Sequence, residues 1–242
     1  MPISFCILRP NNSIKNSIFA EDNCNYAMKL IVLYNNYPTA TLNNNELDVC
    51  VLPDTALLKD GKPLFIPDFA HPCMVQGHLV ARICRLGRSI SERFAHRYYD
   101  AVTVGATFTA ESLRQELIAA GRPWDISVGF DGAAAIGKFI NLYPCTQNKE
   151  TEDEVGVNIH FTPLPADINF SLRCNDKCIV EGISGNMLHH IDKVIAQISK
   201  HYTLRQGDLI FMGSPTLPYE VQINDRISGS LNAENLLRFN IK

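Results

Sequence analysis

No stretch of about 18 consecutive apolar residues occurs in the 242-residue chain, so a membrane-spanning helix is not expected. It lacks any Lys/Arg run, and its formal net charge is −3, which together argue against a nucleic-acid surface. Framed cysteines are missing as well. The eight thiols, Cys6, Cys24, Cys50, Cys73, Cys84, Cys145, Cys174 and Cys178, are scattered rather than paired at recurring spacings. With no secretory signal, reduced thiols in a cytoplasm are the economical expectation. There is no internal repeat, and no linker that would divide the chain. Long helical periods are few.

Short strand-type segments dominate instead. Leu209 to Met212 reads as a strand, and Phe170-Ser171-Leu172-Arg173 and Cys178-Ile179-Val180 flank the tight-turn pair Asn175-Asp176, which predicts a hairpin. Three helices are expected. Ser89 to Tyr99 spaces Ile90, Phe94 and Tyr98 by four. Ala110 to Ala120 has Thr109 as N-cap, Glu111 at the positive end, then Gly121 and Pro123 beyond it. Met187 to His201 carries the stripe Met187, Ile191, Val194, Ile195 and Ile198. Gln147 to Glu154 is polar and charged, an exposed loop. Residues 1–27 are Asn- and Ser-rich without a sustained apolar period, and Met28-Lys29-Leu30-Ile31-Val32-Leu33-Tyr34 reads as a first strand with its own initiator. The expectation is an extension over 1–27, with Met28 as natural start, followed by one domain over 28–242.

Several segments in order resemble one enzyme family. They are Pro53-Asp54-Thr55-Ala56, Pro63-Leu64-Phe65-Ile66-Pro67-Asp68-Phe69, Val80-Ala81-Arg82-Ile83, Phe94-Ala95-His96-Arg97-Tyr98-Tyr99-Asp100, Trp124-Asp125-Ile126-Ser127, Gly129-Phe130-Asp131-Gly132 and Gly207-Asp208-Leu209-Ile210-Phe211-Met212-Gly213-Ser214-Pro215. This frame resembles the fumarylacetoacetate hydrolase family, in its short form of the hydroxyheptadienedioate isomerase or acylpyruvate hydrolase type. The resemblance implies an α+β fold, a mixed β-roll with a few covering helices, and a homodimer. It also implies chemistry on small 2-oxo acids, in which magnesium or manganese stabilises an enolate as a Lewis acid.

The family's cation is held by a Glu-x-Glu pair and an aspartate on a following strand, since a hard dication wants anionic oxygen and residues at i and i+2 of a strand share a face. Here the pair falls on Gln76-Gly77-His78, the aspartate on Thr107, and a lysine that precedes Gly-Phe-Asp-Gly falls on Val128. Gln76 offers an uncharged amide oxygen, Thr107 a neutral hydroxyl, and His78 a nitrogen suited to softer metals. Val128 donates nothing. Other departures are Leu52 for a lysine, Glu111-Ser112 for Arg-Asp, Ile183-Ser184 for Asn-Thr, and Thr216-Leu217-Pro218 for a glycine-rich turn.

These departures predict a protein of this fold that has lost the metal-dependent activity, binds no metal, and serves as a small-acid-binding or regulatory protein. The competing expectation is an active hydrolase or isomerase of acylpyruvate-type acids, with His78 as general base or ligand of a softer metal. Against that stands His78 as a neutral ring bonded to Gln76 or Thr107. Gly213 and Ser214 are expected to line the pocket with Val128. Cys174 and Cys178 could face each other as a redox pair or half a zinc site, or be structural thiols. His189-His190 resembles a metal patch, but adjacent helical residues diverge by about 100°, which favours a solvated surface. His96 is assigned to helix packing or a hydrogen bond, and Asp131 to a turn.

Overall fold

The two longest strands organise the molecule. Strand β3 (Cys73–Ile83) and strand β4 (Tyr99–Ala110) run antiparallel, in a register that pairs Gln76 with Thr107 and His78 with Gly105. The computed structural model describes residues 28–38, 47–58, 61–142 and 164–242. The proposed extension over 1–27 and the loop Gln147 to Glu154 lie outside these residues.

Both faces of β3 and β4 are covered, so they do not show the half-polar alternation of a sheet with one wet side. Around β3 and β4 an eight-stranded sheet assembles in the order β2 (Asp48–Leu52), β1 (Leu30–Tyr34), β9 (Leu209–Phe211), β3, β4, β5 (Ala134–Ile136), with β10 (Tyr219–Val221) on β3 and β6 (Ile140–Asn141) on β4. A four-stranded sheet runs β12 (Glu234–Asn240), β11 (Arg226–Leu231), β7 (Asn169–Cys174), β8 (Lys177–Ile183). Val75, Leu79 and Ala81 of β3 share one apolar cluster with Phe170, Leu172, Val180, Ile227 and Phe239 of the smaller sheet. The opposite face, bearing Gln76, His78 and Val80, is covered instead by a second cluster that includes Leu30, Val128, Leu209 and Phe211. Full burial of a Leu79-sized side chain stabilises the fold by about 2 kcal/mol, so two covered faces anchor this register strongly.

The predicted hairpin is present. Strands β7 and β8 pair antiparallel, and Asn175 and Asp176 both take positive φ, 49° and 68°, as a two-residue hairpin turn of this twist requires. The expected strand at Leu209 to Met212 is β9.

The helices are shorter than the periodicity predicts. The first, α1, spans only Glu92–Ala95, because Tyr99 is already in β4 and fully buried there. Its intended apolar face is split: Ile90 is buried while Phe94 is 42% exposed. Helix α2 covers Glu111–Ala119, and Thr109 is not its cap, since it is paired with Met74 inside β4. The Glu111 N–H is satisfied by the Pro72 carbonyl at 3.1 Å. Helix α3 spans Ile191–His201 rather than starting at Met187, with Ile191, Val194, Ile195 and Ile198 buried as expected.

Candidate functional site

Strand β9 positions one wall of the site. Asp208, fully buried at its start, accepts from the Lys29 N–H at 2.9 Å and the Arg205 N–H at 2.8 Å, and pairs with the Lys29 ammonium at 2.6 Å. A buried carboxylate needs such partners to remain charged. This anchor sets β9 between β1 and β3, with Phe211 opposite Val80. The Phe211 ring then lies edge-on to His78, with centroids 5.7 Å apart. A side chain at Gly105 would approach that ring to 2.9 Å and Val80 to 2.6 Å, so glycine is required where the aromatic wall crosses β4.

His78 is fully buried. Its Nε2 shares a 2.8 Å hydrogen bond with the Thr107 hydroxyl. Burial pushes the imidazole down to about 3, against a smaller opposing pull from the Gly213 backbone, so the ring is neutral at physiological pH. The neutral histidine bonded to Thr107 is thus the arrangement present. Gly213, which contacts the His78 ring through its backbone, has φ +93°, and a Cβ there would meet Asn36 Cβ at 2.9 Å. Next to it, Ser214 is 8% exposed, and its hydroxyl has no hydrogen-bond partner among the described residues.

Gln76, His78 and Thr107 therefore share one sheet face, with the Gly213 backbone against the His78 ring and Ser214 next to Gly213 in the chain. Val128 is 2% exposed and packed in the second apolar cluster. It acts there as core. Asp131 is in a turn as expected, and His96 caps the C-terminal end of α1.

Asn36 is a site residue that nothing in the sequence separates from its exposed neighbour Asn35. Its Nδ2 donates to the Met212 carbonyl at 2.9 Å and the His189 carbonyl at 3.1 Å, while its Oδ1 accepts from the His189 N–H at 2.9 Å. One buried amide thus ties the end of β1 to the Gly213 turn and to the segment entering α3. Asn36→Ala is expected to destabilise the protein by about 3 kcal/mol, since two buried carbonyls and an N–H lose their partner. Urea unfolding measures this, and a loss under about 1 kcal/mol would show that the clamp is dispensable.

The expected solvated surface at His189-His190 is corrected. His189 is 3% exposed, with neither ring nitrogen partnered among the described residues. The helical argument fails because α3 begins at Ile191, so His189 lies in a bend ahead of the helix, held by its backbone bonds to Asn36. His190 remains half-exposed, and the adjacent Asp192 carboxylate raises its pKa. Cys174 and Cys178 do not face each other: Cys174 is opposite Lys177 and buried, Cys178 opposite Arg173 and exposed, and both are free thiols. The two-residue turn itself decides this, since closing it at Asn175-Asp176 pairs position 174 with 177 and 173 with 178.

The family described as Fumarylacetoacetate (FAA) hydrolase C-terminal matches residues 19–236. The chain belongs to this family. Its relatives include a mitochondrial oxaloacetate tautomerase of Mus musculus, 24% identical over 190 residues and 78% of each chain. An oxaloacetate tautomerase of Escherichia coli K12 is 25% identical, covering 77% of this chain and 78% of that one. Among solved structures, a putative fumarylacetoacetate hydrolase family protein of Yersinia pestis superimposes with a TM-score of 0.74 at 24% identity, over 88% of this chain and 93% of the other. A fumarylpyruvate hydrolase of Pseudomonas aeruginosa, in complex with Mn2+ and pyruvate, superimposes with a TM-score of 0.73 at 20% identity, over 93% and 99%. These likenesses show the fold, the mixed α+β arrangement that the sequence resemblance implied.

The residues here do not fit the family's dication. Gln76, His78 and Thr107 offer no anionic oxygen, and the one imidazole nitrogen directed at Thr107 is already in a hydrogen bond. Among the described residues no cluster of three or more His, Cys, Asp or Glu side chains is placed to hold a metal ion.

Proposed function

We propose that this chain is a family member without the dication-dependent hydrolase, isomerase or decarboxylase chemistry, serving as a binding or regulatory protein for small 2-oxo acids. The observation that carries this reading is the His78–Thr107 hydrogen bond, two neutral, buried groups bonded to each other where the family's ligands would be carboxylates. Without that charge the site has no means of stripping water from magnesium, which sheds it reluctantly even in good sites. The Phe211 ring against His78 also makes the floor apolar. A homodimer is the expected assembly from the family resemblance, and the scattered thiols fit a cytoplasmic protein.

The rival reading, an active enzyme on acylpyruvate-type acids, is supported by the relatives named as oxaloacetate tautomerases. It would use His78 as base. A ring held at about 3 is a weak base at neutral pH, far from the matched value that proton transfer favours.

Calorimetric titration of metal-free protein with magnesium, manganese and zinc separates the two, followed by assay with oxaloacetate and an acylpyruvate in added manganese. No micromolar binding and no turnover above buffer is the expected result. One cation per chain at micromolar affinity, with turnover abolished by His78→Ala, would establish the enzyme instead.

A further inference from the structure

The outer face of the four-stranded sheet carries a concentration of cations that the overall charge of −3 does not predict. Its origin is register. Ser228 of β11 is opposite Arg238 of β12 on one side and Arg173 of β7 on the other, so the three form a row across the sheet. With strands about 4.8 Å apart, the two arginines start about 10 Å from each other. Two residues along β11, Arg226 is opposite Asn240 and points to the same side. The other side of these strands is the core, with Ile227, Leu237 and Phe239 buried.

The patch is concave at its β12 edge. Gly61, Pro63, Asn240, Arg226, Arg238 and Lys242 line a cavity of about 310 Å³, within the range of small-ligand sites. None of the three cations there forms an ion pair with a described residue. The nearest acid in sequence, Asp225, is engaged in its own turn, where one carboxylate oxygen accepts from Asn175 Nδ2 and the other from the Gln222 N–H. Arg173 donates to the Asp176 carbonyl, which leaves its charge uncompensated. Glu181, opposite Ser171, is an acid of the same face, on the strand farthest from the cavity. Unpaired guanidinium groups held on a rigid sheet suit a planar or tetrahedral oxyanion, which they engage in two-pronged, charge-assisted bonds.

We propose that this face binds a small, multiply charged oxyanion, a phosphate-bearing or dicarboxylate ligand, through Arg226, Arg238 and Lys242, on the opposite side of the sandwich from His78. The site is independent of the 2-oxo acid reading, since no residue is shared.

The test titrates the full chain calorimetrically with pyrophosphate and, separately, succinate at low ionic strength. It repeats both with Arg226→Gln/Arg238→Gln and with Arg93→Gln, an exposed arginine on α1. Saturable binding of one anion per chain is expected, weakened about tenfold or more in the double variant and unchanged in Arg93→Gln. Tighter pyrophosphate assigns a phosphate-bearing ligand, and tighter succinate a dicarboxylate. Absence of saturable binding by the parent protein overturns the proposal, as does equal affinity in the parent and the double variant. The parent measurement stands whether or not the variants fold.

Discussion

Gln76→Glu, His78→Glu and Thr107→Asp, made together, are expected to yield a protein that is markedly unstable without a dication and recovers stability with magnesium. The three positions share one sheet face, and 76 and 107 are directly opposite each other across β3 and β4. Like charges so placed repel, and position 78 is fully buried against Phe211. Uncompensated carboxylates in such surroundings cost several kcal/mol each unless they take up protons. A lowering of the unfolding temperature by about 10 °C or more follows for a domain of this size. Magnesium at a hundred times its dissociation constant would return about 2.7 kcal/mol, because it binds the folded chain alone. Thermal unfolding with and without magnesium, on parent and triple variant, reads both effects. If the folded variant is indifferent to magnesium while the parent is too, these three positions do not form the floor of a cation site.

Acid should unfold the parent protein more steeply than a His78→Leu variant between neutrality and pH 3. In the folded chain His78 titrates at about 3, whereas the unfolded chain binds that proton at an ordinary imidazole value of 6.5. The folded pKa is lowered, so as pH falls below about 6.5 the unfolded state takes up a proton that the folded state refuses. The contribution is complete above that value and declines by about 1.4 kcal/mol per pH unit down to the folded value, on the order of 5 kcal/mol in all. His189 is also lowered by burial, but it is present in both proteins and cancels in the comparison. Denaturant unfolding of both proteins at pH 7, 6 and 5.5 isolates the difference before most carboxylates titrate. Parallel pH dependences would mean that the ring charges in the folded state, and that the neutral His78–Thr107 pair is not what fills the site.

The family frame and the neutral character of the site were legible in the residues themselves. Strand alternation puts Gln76 and His78 on one face before any coordinates, while Thr107 was brought to them only by the family resemblance and joins them through the β3–β4 register. The Asn175-Asp176 hairpin was equally local, since positive φ at two successive residues is a property of the turn.

Other readings failed for a common physical reason. The helix predicted over Ser89 to Tyr99 rested on an apolar period of four, but Tyr99 is claimed by pairing in β4, and tertiary pairing overrides so short a helical preference. His189 was read as a helical surface residue, although Asn36, 153 positions away, holds its backbone in a bend ahead of the helix.

From sequence alone came the family, through the order of its motifs, the strand-rich fold class and the uncharged side chains at positions 76, 78 and 107, because each depends on residue type and on segments read along the chain. Only the tertiary structure decided that Phe211 seals the His78 ring, that Asn36 joins three distant segments, and that Arg173, Arg226 and Arg238 share one face. These depend on which strands become neighbours and in what register, which follows from packing two sheets around a common core rather than from any local pattern in the chain.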